Sequence, residues 1–110
     1  MALETLKLDV SDFVAVVTLD RPPVNAINRK MREELIDTFD MLSDRDDVRV
    51  IVLTGAGKVF CAGADLKDRP NVSSPGAHWG HNRITRETNN SIRECQKPVI
   101  AAVNGVALGA

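Results

Sequence analysis

Val59-Phe60-Cys61-Ala62-Gly63-Ala64-Asp65-Leu66-Lys67 reads as a short strand that runs into a turn of small residues, with a short helix starting near Asp65. Small side chains let another group approach the backbone closely. The first N–H groups of a helix have no internal partner and point outward, which favours an oxygen carrying negative charge. Val99-Ile100-Ala101-Ala102-Val103-Asn104-Gly105-Val106-Ala107-Leu108-Gly109-Ala110 repeats the order: an apolar strand, a glycine turn, then small residues. Taken singly, each stretch reads first as an ordinary turn, with Asp65 as a helix cap. Two such turns side by side aim two main-chain N–H groups at one point, which is how an oxyanion is stabilised.

Outward from these turns, Leu6, Leu8 and Val10 alternate with polar residues and predict a first strand. Phe13 to Leu19 predicts a second, with Phe13, Ala15, Val17 and Leu19 on one face and Val14, Val16 and Thr18 on the other. Ser11-Asp12 is turn chemistry, so the two form a hairpin. Arg21-Pro22-Pro23 ends the second strand, because proline removes ladder donors. Asn28 offers an N-cap to a helix whose apolar stripe is Met31, Leu35, Phe39 and Leu42, with Glu33, Glu34, Asp37 and Asp40 between them. After the solvated break Asp44 to Asp47, Val48 to Leu53 is nearly all apolar and predicts a strand buried on both faces. Pro70 to His81 reads as a loop from its proline, glycine, serine and asparagine content. Ile84 to Cys95 predicts a second helix of poor propensity, and Val99 to Val103 another strand after Pro98. The order is that of a mixed α/β fold. Pattern leaves a doubly wound sheet and a spiral both open.

Composition removes several functions. The chain has 110 residues, enough for one domain with its own core, and a net charge of -1 with both signs interspersed. No basic excess points to nucleic acid or to an anionic membrane, and 4% aromatic residues with no Tyr argue against base stacking. Met1 to Val10 carries Glu4 and Asp9 in an alternating pattern and does not read as a leader, and no apolar run is long enough to span a bilayer. Cys61 and Cys95 lack metal-ligand spacing and a disulfide framework, and read as reduced thiols of a cytoplasmic protein. His78 and His81 stand three apart without other ligands, so no metal site is expected. A nucleotide-binding α/β domain ranks far behind, since neither G-x-G-x-x-G after a first strand nor G-x-x-x-x-G-K-[ST] is present.

Four stretches then fall into one order: Arg21-Pro22-Pro23-Val24-Asn25-Ala26-Ile27, Val50-Ile51-Val52-Leu53-Thr54-Gly55, Phe60 to Leu66, and Lys97-Pro98-Val99-Ile100-Ala101-Ala102-Val103-Asn104-Gly105. They resemble four motifs of the enoyl-CoA hydratase/isomerase (crotonase) family, and the chain resembles the N-terminal half of such a protein, with Pro70 to Glu94 least matched. The resemblance implies an α/β, crotonase-like spiral of ββα units and an enzyme acting on acyl-CoA thioesters. Hydration of a 2-enoyl-CoA ranks first, double-bond isomerisation next, and other reactions of the family, such as dehalogenation, decarboxylation or thioester hydrolysis, after them. A non-catalytic acyl-CoA binder is the reading from another class.

The same resemblance implies site residues. The backbone N–H groups of Ala64 and Ala110 would form the oxyanion hole. Val24, Ala26, Ala62, Asp65, Leu66 and Lys67 would line the CoA path, with Asp65 a helix cap rather than a base. Lys58, Arg21 and Arg69 join Lys67 as candidates for CoA phosphates, or are solvated surface charge. Trp79 is open between acyl pocket and surface packing. The family's hydratase carboxylates lie beyond the second turn, and Glu87 and Glu94 read as helix surface charge. No cofactor is expected, since coenzyme A is part of the substrate, and the assembly implied is a homotrimer or dimer of trimers. Val106 to Ala110 is apolar with no turn or polar tail. We therefore expect residues 1–110 to be the N-terminal part of a crotonase-like catalytic domain, cut at the second oxyanion-hole turn and inactive alone.

Overall fold

Strands β1 (Leu6–Ser11) and β2 (Val14–Leu19) pair antiparallel, Ser11 opposite Val14, in a computed structural model that describes residues 2–68 and 74–110. The two-residue loop has positive φ at both Asp12 (51°) and Phe13 (67°), the handedness that matches the twist of a hairpin. Phe13 is therefore a turn residue and not part of the inner face. It is 47% exposed, with the Arg49 guanidinium 4.0 Å from its ring centroid. Ala15, Val17 and Leu19 are buried as the alternation requires.

Helix α1 (Arg29–Asp44) starts where the Asn28 side chain accepts the Met31 N–H at 2.9 Å. Its Met31, Leu35, Phe39 and Leu42 stripe packs with Ala15, Val17 and Ile51 into one core. Glu34, expected on the polar face, is buried instead. Its carboxylate accepts the Glu4 and Thr5 N–H groups and the Thr5 hydroxyl, which replaces the water it loses.

Strand β3 (Val50–Gly55) lies parallel between β2 and β5 (Val99–Ala101). Strands β4 (Val59–Cys61) and β6 (Val106–Ala107) pair parallel in a second sheet. The elements group as β1-β2-α1, then β3-β4-α2, then β5-β6, where α2 spans Pro75–Arg93. Corresponding strands of successive units stack, β3 on β5 and β4 on β6, so the chain advances as a spiral rather than as a doubly wound sheet.

Burial of β3 on both faces is not observed. Ile51 is fully buried, whereas Val50 and Val52 are half-buried, because only alternate residues face the core beneath α1. In the following segment Ile100 and Val103 are exposed. The loop expected over 70–81 is also corrected. Helix α2 begins at Pro75, with the Ser74 hydroxyl accepting the Ala77 N–H and proline at its first position. Pro70, Asn71 and Ser73 lie outside the described residues. Among the described residues no helix is long and apolar enough to cross a membrane.

Candidate active site

The parallel pairing of β4 with β6 carries both glycine turns out of the sheet together. Cys61 stands opposite Ala107, and the Leu108 N–H donates to the Cys61 carbonyl at 2.9 Å. Gly63 (φ 97°) and Gly109 (φ 62°) then face each other in conformations that disfavour side chains. A Cβ on Gly63 would lie 3.0 Å from the Leu108 carbonyl oxygen, and one on Gly109 would lie 3.5 Å from the Gly63 Cα. The structure thus brings Ala64 and Ala110, each the residue after one of these glycines, to neighbouring turns.

The Ala64 turn is held from one side. The Ile27 N–H donates to the Gly63 carbonyl at 2.8 Å, and the Ile27 carbonyl accepts the Asp65 N–H at 2.9 Å. A trans peptide is planar, so its N–H points opposite to its C=O. The Ala64 N–H is therefore turned away from Ile27, and no main-chain carbonyl of the described residues accepts it. Ala64 itself is exposed.

Arg21, Pro22, Pro23, Val24, Ala26, Asp65 and Lys67 line a cleft of about 290 Å³ beside this turn. Ala62 adjoins it through its N–H, which donates to the Val24 carbonyl at 3.0 Å. Of the residues expected along the CoA path, Leu66 is outside the lining and 71% exposed. Arg21, a candidate phosphate contact, is instead bound inward: its Nη1 donates to Asp65 Oδ2 at 2.7 Å and to the Ala26 carbonyl at 2.9 Å. Asp65 Oδ1 accepts the Lys67 N–H and so caps a single 3₁₀ turn, Leu66–Asp68. The Lys67 N–H and then Arg21 hold the Asp65 carboxyl below its ordinary range. An ionised, doubly bonded carboxylate is a poor proton acceptor, which fits a cap and not a base. Lys58 lies outside the cleft, in the turn between β3 and β4, and Arg69 falls outside the described residues.

Two asparagines quoted only as parts of motifs organise the site. Asn25 (φ 55°) is buried. Its Oδ1 accepts the Arg21 N–H, and its Nδ2 donates to the Ala56, Val59 and Phe60 carbonyls. From the other side Asn104 accepts the Gly55 N–H at 3.1 Å and donates to the Gly57 carbonyl at 3.0 Å. The β3–β4 turn is clamped between them. The only local sign of this was an asparagine, tolerant of positive φ, directly after Pro-Pro-Val.

A second, apolar cavity of about 150 Å³ reaches from Leu19, Leu35 and Phe60 to Gly109 and Ala110. Glu87 and Glu94 line neither space. They sit exposed along the groove between α1 and α2, Glu87 beside Arg83 at 4.0 Å. Trp79 is 70% exposed on α2 and lines neither the cleft nor the apolar cavity.

A family model described as enoyl-CoA hydratase/isomerase matches residues 9–110. The chain belongs to the enoyl-CoA hydratase/isomerase family. A Rhodobacter capsulatus protein named "Probable enoyl-CoA hydratase" is 44% identical over all of this chain and 42% of its own length. The 1,2-epoxyphenylacetyl-CoA isomerase of Escherichia coli strain K12 is 37% identical over 98% of this chain and 43% of its own length. The carnitinyl-CoA dehydratase of Proteus mirabilis is 38% identical over 96% and 40%. The chain thus spans about two-fifths of these relatives. Among solved structures, an enoyl-CoA hydratase/carnitine racemase from Magnetospirillum magneticum superposes with a TM-score of 0.89 at 30% identity, covering 98% of this chain and 42% of that one. An enoyl-CoA hydratase from Bacillus anthracis gives 0.82 at 32%, covering 94% and 41%. The ββα spiral of this enoyl-CoA hydratase/isomerase family chain is therefore the crotonase fold.

Proposed function

We propose that the protein carrying this chain binds acyl-CoA thioesters and adds water to a 2-enoyl-CoA, with the Ala64 and Ala110 N–H groups donating to the thioester oxygen. The observation that carries this reading is the mutual packing of Gly63 and Gly109, with the Ala64 N–H left unused by the Ile27 bridge. An enolate concentrates charge on one oxygen, and each preorganised donor contributes about 3–4 kcal/mol to lowering the barrier. The cleft between Val24, Ala26 and Asp65 suits the pantetheine arm, with Ala62 and Leu66 at its margin and the Lys67 ammonium toward a phosphate. The reaction needs no cofactor beyond the coenzyme A of its substrate. Isomerisation is the second reading, favoured by the relative named an isomerase. A cytoplasmic homotrimer or dimer of trimers belongs to the same proposal.

Calorimetric titration of the full-length protein with acetyl-CoA, followed by a crotonyl-CoA hydration assay, tests it. Binding and hydration are expected. Absence of binding at millimolar acetyl-CoA overturns the substrate class. Binding without hydration, together with turnover of a 3-enoyl-CoA, decides for isomerisation.

A further inference from the structure

Arg32 is a charged side chain buried to 3% exposure beneath the site, on the first turn of α1. Burying a guanidinium is costly, and an apolar side chain would fill the same position without that cost. Its Nη1 donates to the Ile27 carbonyl at 3.2 Å. That oxygen also accepts the Asp65 N–H, and the N–H of the same residue, Ile27, holds the Gly63 carbonyl. On the other side of Ile27, the Ala26 carbonyl accepts Arg21 Nη1. Each peptide plane of Ile27 is thus held by a guanidinium. Ile27 in turn holds both peptide planes that flank Ala64, and a plane held at its C=O has the direction of its N–H fixed.

We propose that Arg32 is a positioning residue for the reaction: through the Ile27 carbonyl, which also takes the Asp65 N–H, it holds the Ala64–Asp65 peptide in place, while the Ile27 N–H holds the Gly63–Ala64 peptide, and the two together keep the Ala64 N–H aimed at the thioester oxygen. This rests on the oxyanion reading of Ala64 given above. Arg32 touches no substrate in this arrangement. It acts on the transition state through the aim of one donor, so its loss lowers kcat and leaves ground-state binding nearly unchanged.

The test uses the full-length protein with Arg32→Met, which keeps the apolar stem and removes every donor. Arg32→Lys is its companion, keeping the charge without the planar fork. Two readouts are taken: kcat and KM for crotonyl-CoA, and the infrared carbonyl band of bound acetyl-CoA labelled with carbon-13 at the thioester carbon. In the wild type the band is expected below its position in free acetyl-CoA. In Arg32→Met kcat is expected to fall on the order of tenfold or more, as misaimed groups do. KM should stay within about threefold, and the band should move back toward the free value; Arg32→Lys should fall between. A wild-type kcat and band in either folded variant overturns the inference. So does a change confined to KM, or unfolding of both variants, which assigns Arg32 to stability alone. A wild type that binds acetyl-CoA without shifting its band defeats the oxyanion reading itself, and this is seen before any variant is made.

Discussion

Glu34 and Asn25 show how much of this chain's stability rests on single buried polar groups. Burial pushes the Glu34 carboxyl up, but the Thr5 hydroxyl and the Glu4 and Thr5 N–H groups together outweigh it, so its pKa lies below the ordinary glutamate value. A depressed folded pKa adds stability that is complete above the unfolded value and is lost as pH falls through the folded one. Thermal melts of the wild type and Glu34→Gln between pH 7 and pH 3 should therefore show a gap at neutral pH that narrows as the solution is acidified. A constant gap would mean that the carboxylate's charge is not what these donors hold. Asn25→Ala removes the donor to three carbonyls, leaves the Arg21 N–H without its acceptor and puts alanine at φ 55°. Buried groups left unsatisfied cost about 1–3 kcal/mol each, so with four groups affected a loss of at least about 4 kcal/mol is expected in urea unfolding. Asn25→Gly, which accepts the angle, should recover only the smaller backbone part. The sequence shows of Asn25 only a residue tolerant of positive φ after Pro-Pro-Val, and of Glu34 nothing. Glu34 sits in the polar register of α1, and only the fold brings the chain at Thr5 over it.

The elements differ in how openly the sequence announces them. Helix α1 was legible because its stripe repeats every three or four residues and Asn28 stands at its start. The first turns of α2 were not, because Gly76 and Gly80 break the propensity pattern, and the Ser74-Pro75 cap was the overlooked cue. The packing of the β3–β4 turn against the start of β6 makes a comparison of two glycines informative. A Cβ on Gly105 would stand 2.0 Å from the Lys58 carbonyl oxygen, so Gly105→Ala must push the backbone of one segment off the other. Gly57 has φ 78° but open space around its Cβ position, so Gly57→Ala meets only the conformational cost, about 1–2 kcal/mol. Urea midpoints should rank wild type, then Gly57→Ala, then Gly105→Ala. The crotonyl-CoA hydration proposed for the full-length protein should survive the first substitution and collapse with the second, because β6 leads directly into Gly109.

On the scale of the whole molecule, Ile100, Val103, Val106 and Leu108 leave an apolar surface, each 54% to 60% exposed. Contiguous apolar surface beside a strand edge is an aggregation hazard. Residues 1–110 expressed alone should therefore scatter light as large particles at micromolar concentration, and a monodisperse monomer would contradict this. What the sequence by itself determined is local: the hairpin, the amphipathic face of α1, the two small-residue turns and the order of four motifs. Those follow from side-chain periods of two and of about 3.6, and from proline, glycine and asparagine acting on their own backbone. Only the tertiary structure decided between a spiral and a doubly wound sheet, and only it set Gly63 against Gly109. That contact depends on β4 pairing with β6 in one register, with a whole helix between them in the chain. It also placed Arg21 on Asp65 and Arg32 on Ile27, since a long charged side chain has no periodicity of its own and takes its role from whichever carbonyl or carboxylate the fold brings to it.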